Sequence, residues 1–371
     1  MRIAIDARKL HDYGIGTYIT NVIIELAQLD ETNEYIFLCR QDDCQYINSL
    51  ADNFHSVPQR SANYSISEQL SIPINLTFNS IDLFHAPHYV LPVLTPCRSI
   101  VTIHDCIHLK FPQYLPNRIA SMYAWSQLWI AVKRAQAIIT VSEHSKNDIA
   151  ELLNVPKEKI SVIPNAVSKR FTTKPTNELL TVTKESLRLE RPFIMYSGNV
   201  KPHKNISTLI DAFKLVQSRN HSEIELLIVG SHGTDRTPLE DQVQQLDLQK
   251  HVRFLGFQSE DRLAGLYQLA EIFVLPSLYE GFGLGPLEAM ASGTPVVASN
   301  AASLPEVLGK AALFIDPRDA GSIANGITAI LDDDLLRSDL IEKGRNRAQA
   351  FSWKRTAQQI HRIYEQIGVS N

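Results

Sequence analysis

The sequence predicts an α/β protein built as two Rossmann-like, doubly wound domains. Short buried-strand patterns alternate with helical stretches, the order expected of parallel sheets covered by helices on both faces. This alternation runs twice, broken by a polar stretch at 172–191. A chain of 371 residues is also too long for one core of ordinary size, which favours two.

The first half opens with a strand, Ile3–Ala7. A loop holding Gly14-Ile15-Gly16 leads into an amphipathic helix over about Thr17–Gln28. Strand patterns follow at Tyr35–Cys39, Ile81–His85, Ser99–Ile103, Ala137–Val141 and Ile160–Ile163. Between them, Gln41–Asn79 offers no readable motif. The second half repeats the scheme at Phe193–Tyr196, Ile224–Val229, Val252–Leu255, Ile272–Leu275, Pro295–Ala298 and Ala312–Ile315. Asn205, Ser259 and Asp319 stand where helix N-caps are expected. In such sheets ligands collect beyond the carboxyl ends of the strands, so a substrate shared by two sheets is expected in a cleft between them.

Composition narrows the function. With 44% hydrophobic and 20% charged residues the chain reads as a globular protein, and a net charge of −4 argues against a nucleic-acid partner. No apolar run is long enough to span a bilayer, and Met1-Arg2-Ile3-Ala4-Ile5-Asp6 places charges where a signal peptide needs apolar residues. Cys39, Cys44, Cys97 and Cys106 form no C-x-x-C pair and are expected as free thiols, consistent with a cytoplasmic location.

The most informative segment is Glu280-Gly-Phe-Gly-Leu-Gly-Pro-Leu-Glu288, where two carboxylates bracket a glycine-rich turn between a strand and a short helix, Pro286–Ala291. Glycines let the backbone approach a ligand, and the helix start offers N–H groups to an anion. The competing structural reading makes Gly285 the N-cap and Glu288 the third helical residue, folding back on the cap. The pair with its turn favours a cradle for a phosphorylated sugar.

Glu280 and Glu288 match the E-x7-E signature of the retaining glycosyltransferases of family 4, and Ala289-Met-Ala-Ser-Gly293-Thr-Pro-Val-Val-Ala298 is also similar to that family. The likeness is strong over 193–317, weaker through the first half, and leans toward mannosyl-transferring members. It implies the GT-B fold: an acceptor-side domain at 1–172, a nucleotide-sugar-binding domain at 190–350, and a helix at 351–371 crossing back to the first. It also implies sugar transfer from a nucleotide diphosphate sugar without a metal, with GDP-mannose the expected donor and UDP-glucose next.

Lys204 follows the strand ending at Tyr196 and resembles the family's phosphate-contacting lysine. A cation there opposes charge on the leaving diphosphate. Asn199 and Lys201 occupy the region where the family often has an arginine, so Asn199 is expected to hydrogen-bond the donor and Lys201 is a possible second cation. His104, at a strand end within Thr102-Ile-His-Asp105, resembles the histidine beside the donor sugar, whereas Asp105 could cap the next turn. By resemblance Glu280 contacts sugar hydroxyls, with the backbone of Phe282, Gly283 and Leu284 nearby, and Glu288 holds the ribose. Gly230 and Phe257 are expected to line the nucleotide pocket. Gly14 and Gly16 could bring backbone N–H groups to a phosphate. They lack the third glycine and the acidic strand end of a nicotinamide site.

Asp332-Asp333-Asp334 reads as a solvated acidic turn rather than a metal site. The stretch Asn117–Arg134 mixes aromatics with basic ends, and either forms a core helix, the favoured reading, or rests on a membrane carrying a lipid-linked acceptor. The expected partners are thus a nucleotide-sugar donor and a glycan or lipid-linked glycan acceptor in surface polysaccharide assembly. A sugar-nucleotide epimerase and a noncatalytic nucleotide-sugar-binding module are the rival readings.

Overall fold

The computed structural model describes residues 1–219, 221–230 and 236–369. The chain forms two compact units, residues 1–165 with 352–371, and residues 166–351. The division falls at 165/166, a few residues before the position expected from sequence.

The first unit holds β1 (Arg2–Asp6), β2 (Glu34–Cys39), β3 (Phe54–Pro58), β4 (Leu83–Ala86), β5 (Arg98–Thr102), β6 (Ala137–Thr140) and β7 (Ile160–Val162) in one parallel sheet. Its order is β3-β2-β1-β4-β5-β6-β7. The order reverses between β1 and β4, which makes that pair the topological switch point. β3 lies inside the stretch expected to be motif-free. Its residues Phe54–Pro58 pair with Tyr35–Cys39, but only Phe54 is fully buried, so an edge strand with no buried run gave no strong signal.

Both faces of this sheet are covered. Val101, Ile103 and Phe84 pack with Ile72, Leu76, Leu128, Ala131 and Ile149 from the helices Glu68–Phe78, Arg118–Arg134 and Glu143–Leu153. The helix Ile15–Leu29 begins two residues earlier than expected, so Gly16 lies inside it. The final helix, Trp353–Val369, belongs to this unit. Its Tyr364 hydroxyl meets His85 Nδ1 at 2.6 Å, and its His361 meets Asp30 at 2.9 Å.

The second unit contains β8 (Phe193–Ser197), β9 (Glu225–Val229), β10 (Val252–Gly256), β11 (Ile272–Leu275), β12 (Val296–Ser299) and β13 (Leu313–Ile315). The parallel order is β10-β9-β8-β11-β12-β13, with the switch point between β8 and β11. The polar stretch at 172–191 is not a free linker. It contains the helix Asn177–Leu187, capped by Thr176 and packed on Glu260–Leu269, where Gly265 leaves room for Thr183.

Ser259 and Asp319 cap their helices as expected. Asn205 does not: it takes a left-handed conformation at φ 61°, and its side chain reaches other loops instead. Asp333 caps the helix Asp334–Gln349 and Asp332 pairs with His221 at 3.0 Å, so the acidic run is used in local structure.

Candidate active site

The second unit's switch point is built from two loops. One leaves β8 through Gly198 and Asn199 and ends at Lys204 and Asn205 before the helix Ile206–Gln217. The other leaves β11 through Pro276 and reaches Glu280. The loops are fastened in three places. Leu278 N–H donates to the His203 carbonyl at 2.8 Å. Asn205 Nδ2 donates to the Pro276 carbonyl at 3.1 Å and the Pro317 carbonyl at 2.6 Å. Lys204 Nζ donates to Glu280 Oε1 at 2.6 Å.

Both charged side chains of that pair are largely sequestered, at 16% and 12% exposure. Charge-assisted bonds in partly dry surroundings are stronger than surface ion pairs. Ser303 Oγ donates to the Glu280 carbonyl at 2.9 Å, which fixes the carboxylate's backbone as well. Among the described residues Asn199 Oδ1 is buried without a hydrogen-bond partner. Lys201 is exposed to solvent, whereas His203 is buried.

Glu288 belongs to a second chain of bonds. The helix behind the turn runs Leu284–Ser292 with Gly283 as N-cap, two residues earlier than expected. Glu288 is therefore the fifth helical residue and cannot close a capping box, which overturns the purely structural reading. Its Oε2 accepts from the Tyr267 hydroxyl at 3.0 Å, and that hydroxyl meets Ser197 Oγ at 2.6 Å. Burial pushes the Glu288 carboxyl up to about 7, against the opposing pull of the Tyr267 bond.

The glycines serve different ends. Gly283 sits at φ 91°, and a Cβ there would meet Leu304 Cδ2 at 2.6 Å. Gly230, at φ 136° after β9, is pressed on the Gly198 carbonyl, where a Cβ would come within 1.8 Å. Its N–H donates to the Gly256 carbonyl at 2.9 Å, so the exits of β8, β9 and β10 lie close together at one sheet edge. The Phe282 ring is buried edge-on against Phe351 at 5.5 Å, leaving only its backbone for a ligand, while Leu284 opens the helix. Phe257 is 72% exposed rather than core, an open aromatic surface just past β10.

The first unit carries His104 two residues beyond β5. Its Nε2 lies 3.0 Å from the Pro87 carbonyl, which assigns the proton to Nε2 and leaves Nδ1 as an acceptor. Burial holds the imidazole below its ordinary value, so it is neutral near pH 7. The His104 carbonyl accepts from Ser145 Oγ at 3.1 Å, and Asp105 Oδ1 accepts from Ile107 N–H, a local turn role.

In the Gly14–Gly16 loop the expected Gly16 donor already has a partner. Ile15 N–H donates to the Tyr13 carbonyl and Gly16 N–H to the Asp12 carbonyl, so these donors are spent locally. Gly16 is needed because a Cβ would fall 2.3 Å from the Leu10 carbonyl oxygen.

Sequence reasoning missed Tyr267 and Ser303, which read as ordinary helix and loop residues. It also missed a buried charged group at the first switch point. There Arg8 grips Asp6 through two nitrogens at 2.9 and 2.7 Å and reaches Glu68 at 3.0 Å. Burial opposes the Asp6 charge, yet the Arg8 guanidinium holds that carboxyl well below the usual range. An Asp-Ala-Arg run after a strand was the available signal.

Two doubly wound domains, with a lysine–glutamate pair and a half-buried glutamate at one switch point, define a glycosyltransferase of the GT-B class. The chain belongs to glycosyltransferase family 4. A model described as Glycosyltransferase Family 4 matches residues 13–170, and one described as Glycosyl transferases group 1 matches residues 181–347. O-antigen chain mannosyltransferase B of Escherichia coli is 34% identical over 284 residues, covering 76% of this chain and 74% of that protein. O-antigen chain mannosyltransferase RfbU of Salmonella typhimurium is 30% identical over 330 residues, with 85% and 87% covered. Sucrose-phosphate synthase from Thermosynechococcus elongatus shares the fold with a TM-score of 0.80 over 99% of both chains at 22% identity. Anabaena HepE, solved with UDP and glucose, also gives 0.80 at 17% identity over 99% of this chain and 100% of that one.

Proposed function

We propose that the protein is a retaining mannosyltransferase that takes mannose from GDP-mannose and passes it to a glycan or glycolipid acceptor in surface polysaccharide assembly. The observation that carries this reading is the Lys204–Glu280 pair, fastened at a switch point with its nitrogen and oxygens side by side. A sugar joined to a diphosphate needs a cation at the phosphate and an acceptor at the sugar hydroxyls, close to one another. Lys204 serves the first and Glu280 the second. Glu288, ionised, accepts from the ribose hydroxyls, Asn199 and the backbone of Gly283 and Leu284 complete the cradle, and Phe257 and Gly230 border the base.

The bond between the anomeric carbon and the phosphate oxygen breaks as positive charge grows on the sugar. The electron pair leaves with the diphosphate, where Lys204 offsets the gathered charge. The acceptor hydroxyl oxygen bonds the same face of the carbon, and its proton passes to the departing phosphate oxygen. No protein carboxylate is consumed and no metal is called for. His104, neutral, accepts a hydrogen bond from a donor hydroxyl through Nδ1. The mannose preference rests on the two O-antigen mannosyltransferase relatives.

Incubating the protein with GDP-mannose, UDP-glucose or UDP-galactose and a mannosylated acceptor tests the proposal. It calls for GDP release and a product of the donor's own anomeric configuration by NMR. Inverted product, an epimerised donor, turnover of the UDP-sugars alone, or binding without turnover would each contradict it.

A further inference from the structure

We infer that the outer face of the helix Arg118–Arg134, with that of its neighbour Glu68–Phe78, is a docking surface for an anionic lipid bilayer. The helix does serve the core: Ala124, Leu128, Ala131 and Val132 point inward. Its aromatic residues do not. Ile119, Met122, Trp125 and Trp129 recur at helical spacing on the opposite side, at 78%, 71%, 50% and 43% exposure. The two indoles lie nearly parallel, with ring centres 6.3 Å apart.

The adjacent helix continues the surface. Leu70, Ile74 and Phe78, four residues apart, are exposed by 61%, 53% and 84%. Gln69 ties the helices together, its Nε2 reaching Gln127 Oε1 at 3.4 Å. Its Oε1 accepts from Val93 N–H at 3.1 Å, which brings the exposed Val93 and Leu94 alongside. Contiguous apolar surface of this kind marks an interaction site rather than ordinary surface scatter.

Charge selects the partner. The helix Arg118–Arg134 contains no acidic residue, and exposed Arg118 at one end and Lys133 and Arg134 at the other bracket the apolar stripe. The one acid of the neighbouring helix, Glu68, is buried against Arg8. A helix lying flat with indoles at headgroup depth and cations on both flanks matches a negatively charged interface. Among the described residues no helix is long and apolar enough to cross a membrane, so this would be contact from one side.

Flotation of the full chain with vesicles tests the inference, using phosphatidylglycerol–phosphatidylethanolamine against phosphatidylcholine at low and high salt. Tryptophan fluorescence gives a second readout, because Trp353 is 5% exposed and any blue shift comes from Trp125 and Trp129. The protein should float with the anionic vesicles, shift to the blue, and release in high salt. Trp125→Ser with Trp129→Ser should lower the partition at least about tenfold, and Lys133→Glu with Arg134→Glu should abolish the preference for anionic lipid. Both double variants alter exposed positions, so circular dichroism should match the parent. Failure of the parent protein to float, equal flotation with neutral vesicles, or unchanged partition in both variants overturns the inference. So does a dimer in solution that the tryptophan variant dissolves, since the face would then be covered by a second copy.

Discussion

Lys204 Nζ donates to Glu280 Oε1 at 2.6 Å although 76 positions separate the two residues in the chain. Topology closes that distance. β8 and β11 are neighbours on either side of the sheet's reversal, so the loops that leave them diverge to opposite sides and open a crevice at their roots. Asn205 and the Leu278–His203 bond then hold the loops in register. The pair is thus held in place by the protein's own bonds, the preorganisation that the proposed role at the donor calls for.

Replacing Gly230 should destabilise the second unit. A Cβ would fall 1.8 Å from the Gly198 carbonyl oxygen, in a backbone conformation suited to glycine. Gly230→Ala is expected to cost about 1–3 kcal/mol from backbone strain alone. Calorimetry should show a melting temperature lower by several degrees, and an unchanged value would refute the close approach. Gly14→Ala meets no atom within 4 Å and should be milder, although its φ of 60° still carries strain.

Glu288 should make both stability and donor binding pH-dependent, in opposite directions. Its folded pKa, about 7, lies above the ordinary 4.5 because burial disfavours the charge. From about 4.5 upward the unfolded side chain ionises while the folded one keeps its proton. That ionisation favours the unfolded state, so the stability fully present below about 4.5 is lost progressively as pH rises through 7. If, as proposed, the ionised carboxylate accepts from the ribose, donor binding should strengthen over the same range. Glu288→Gln should flatten the melting temperature between pH 5 and 7.5 and weaken the donor at pH 8. An identical slope in the variant would remove Glu288 as the titrating group.

His104 should act without titrating near neutrality. Burial lowers its pKa from the usual 6.5, and the Pro87 carbonyl fixes the proton on Nε2. The kcat profile should show no inflection near pH 6.5 that His104→Ala removes. That variant should lose roughly tenfold in kcat, the size of one hydrogen bond of about 1.4 kcal/mol, and keep its affinity for GDP. Lost GDP affinity would place His104 in nucleotide binding instead.

Much of the fold was legible because mainly apolar runs such as Ile224–Val229 and Ile272–Leu275 are buried on both faces. β3 was not, since Phe54–Pro58 lies at an edge and alternates only weakly. The glutamates and Lys204 stood out through their spacing after strands, but the hydrogen bonds that hold them did not. Tyr267 sits mid-helix among apolar neighbours, so only the fold shows its hydroxyl between Ser197 and Glu288. Asn205 was read as a cap because its type and position fit, yet its left-handed φ turns the side chain toward Pro276 and Pro317. Local sequence rules do not foresee a loop whose partners lie 71 and 112 residues away.

Isothermal titration of GDP and GDP-mannose into the parent protein, Lys204→Ala and Glu280→Gln tests the assignment of phosphate to one side chain and sugar to the other. Lys204→Ala should weaken both ligands alike, and Glu280→Gln should weaken GDP-mannose while leaving GDP nearly unchanged. If neither ligand binds the parent protein, or if both variants bind both ligands as the parent does, the pair does not grip the donor.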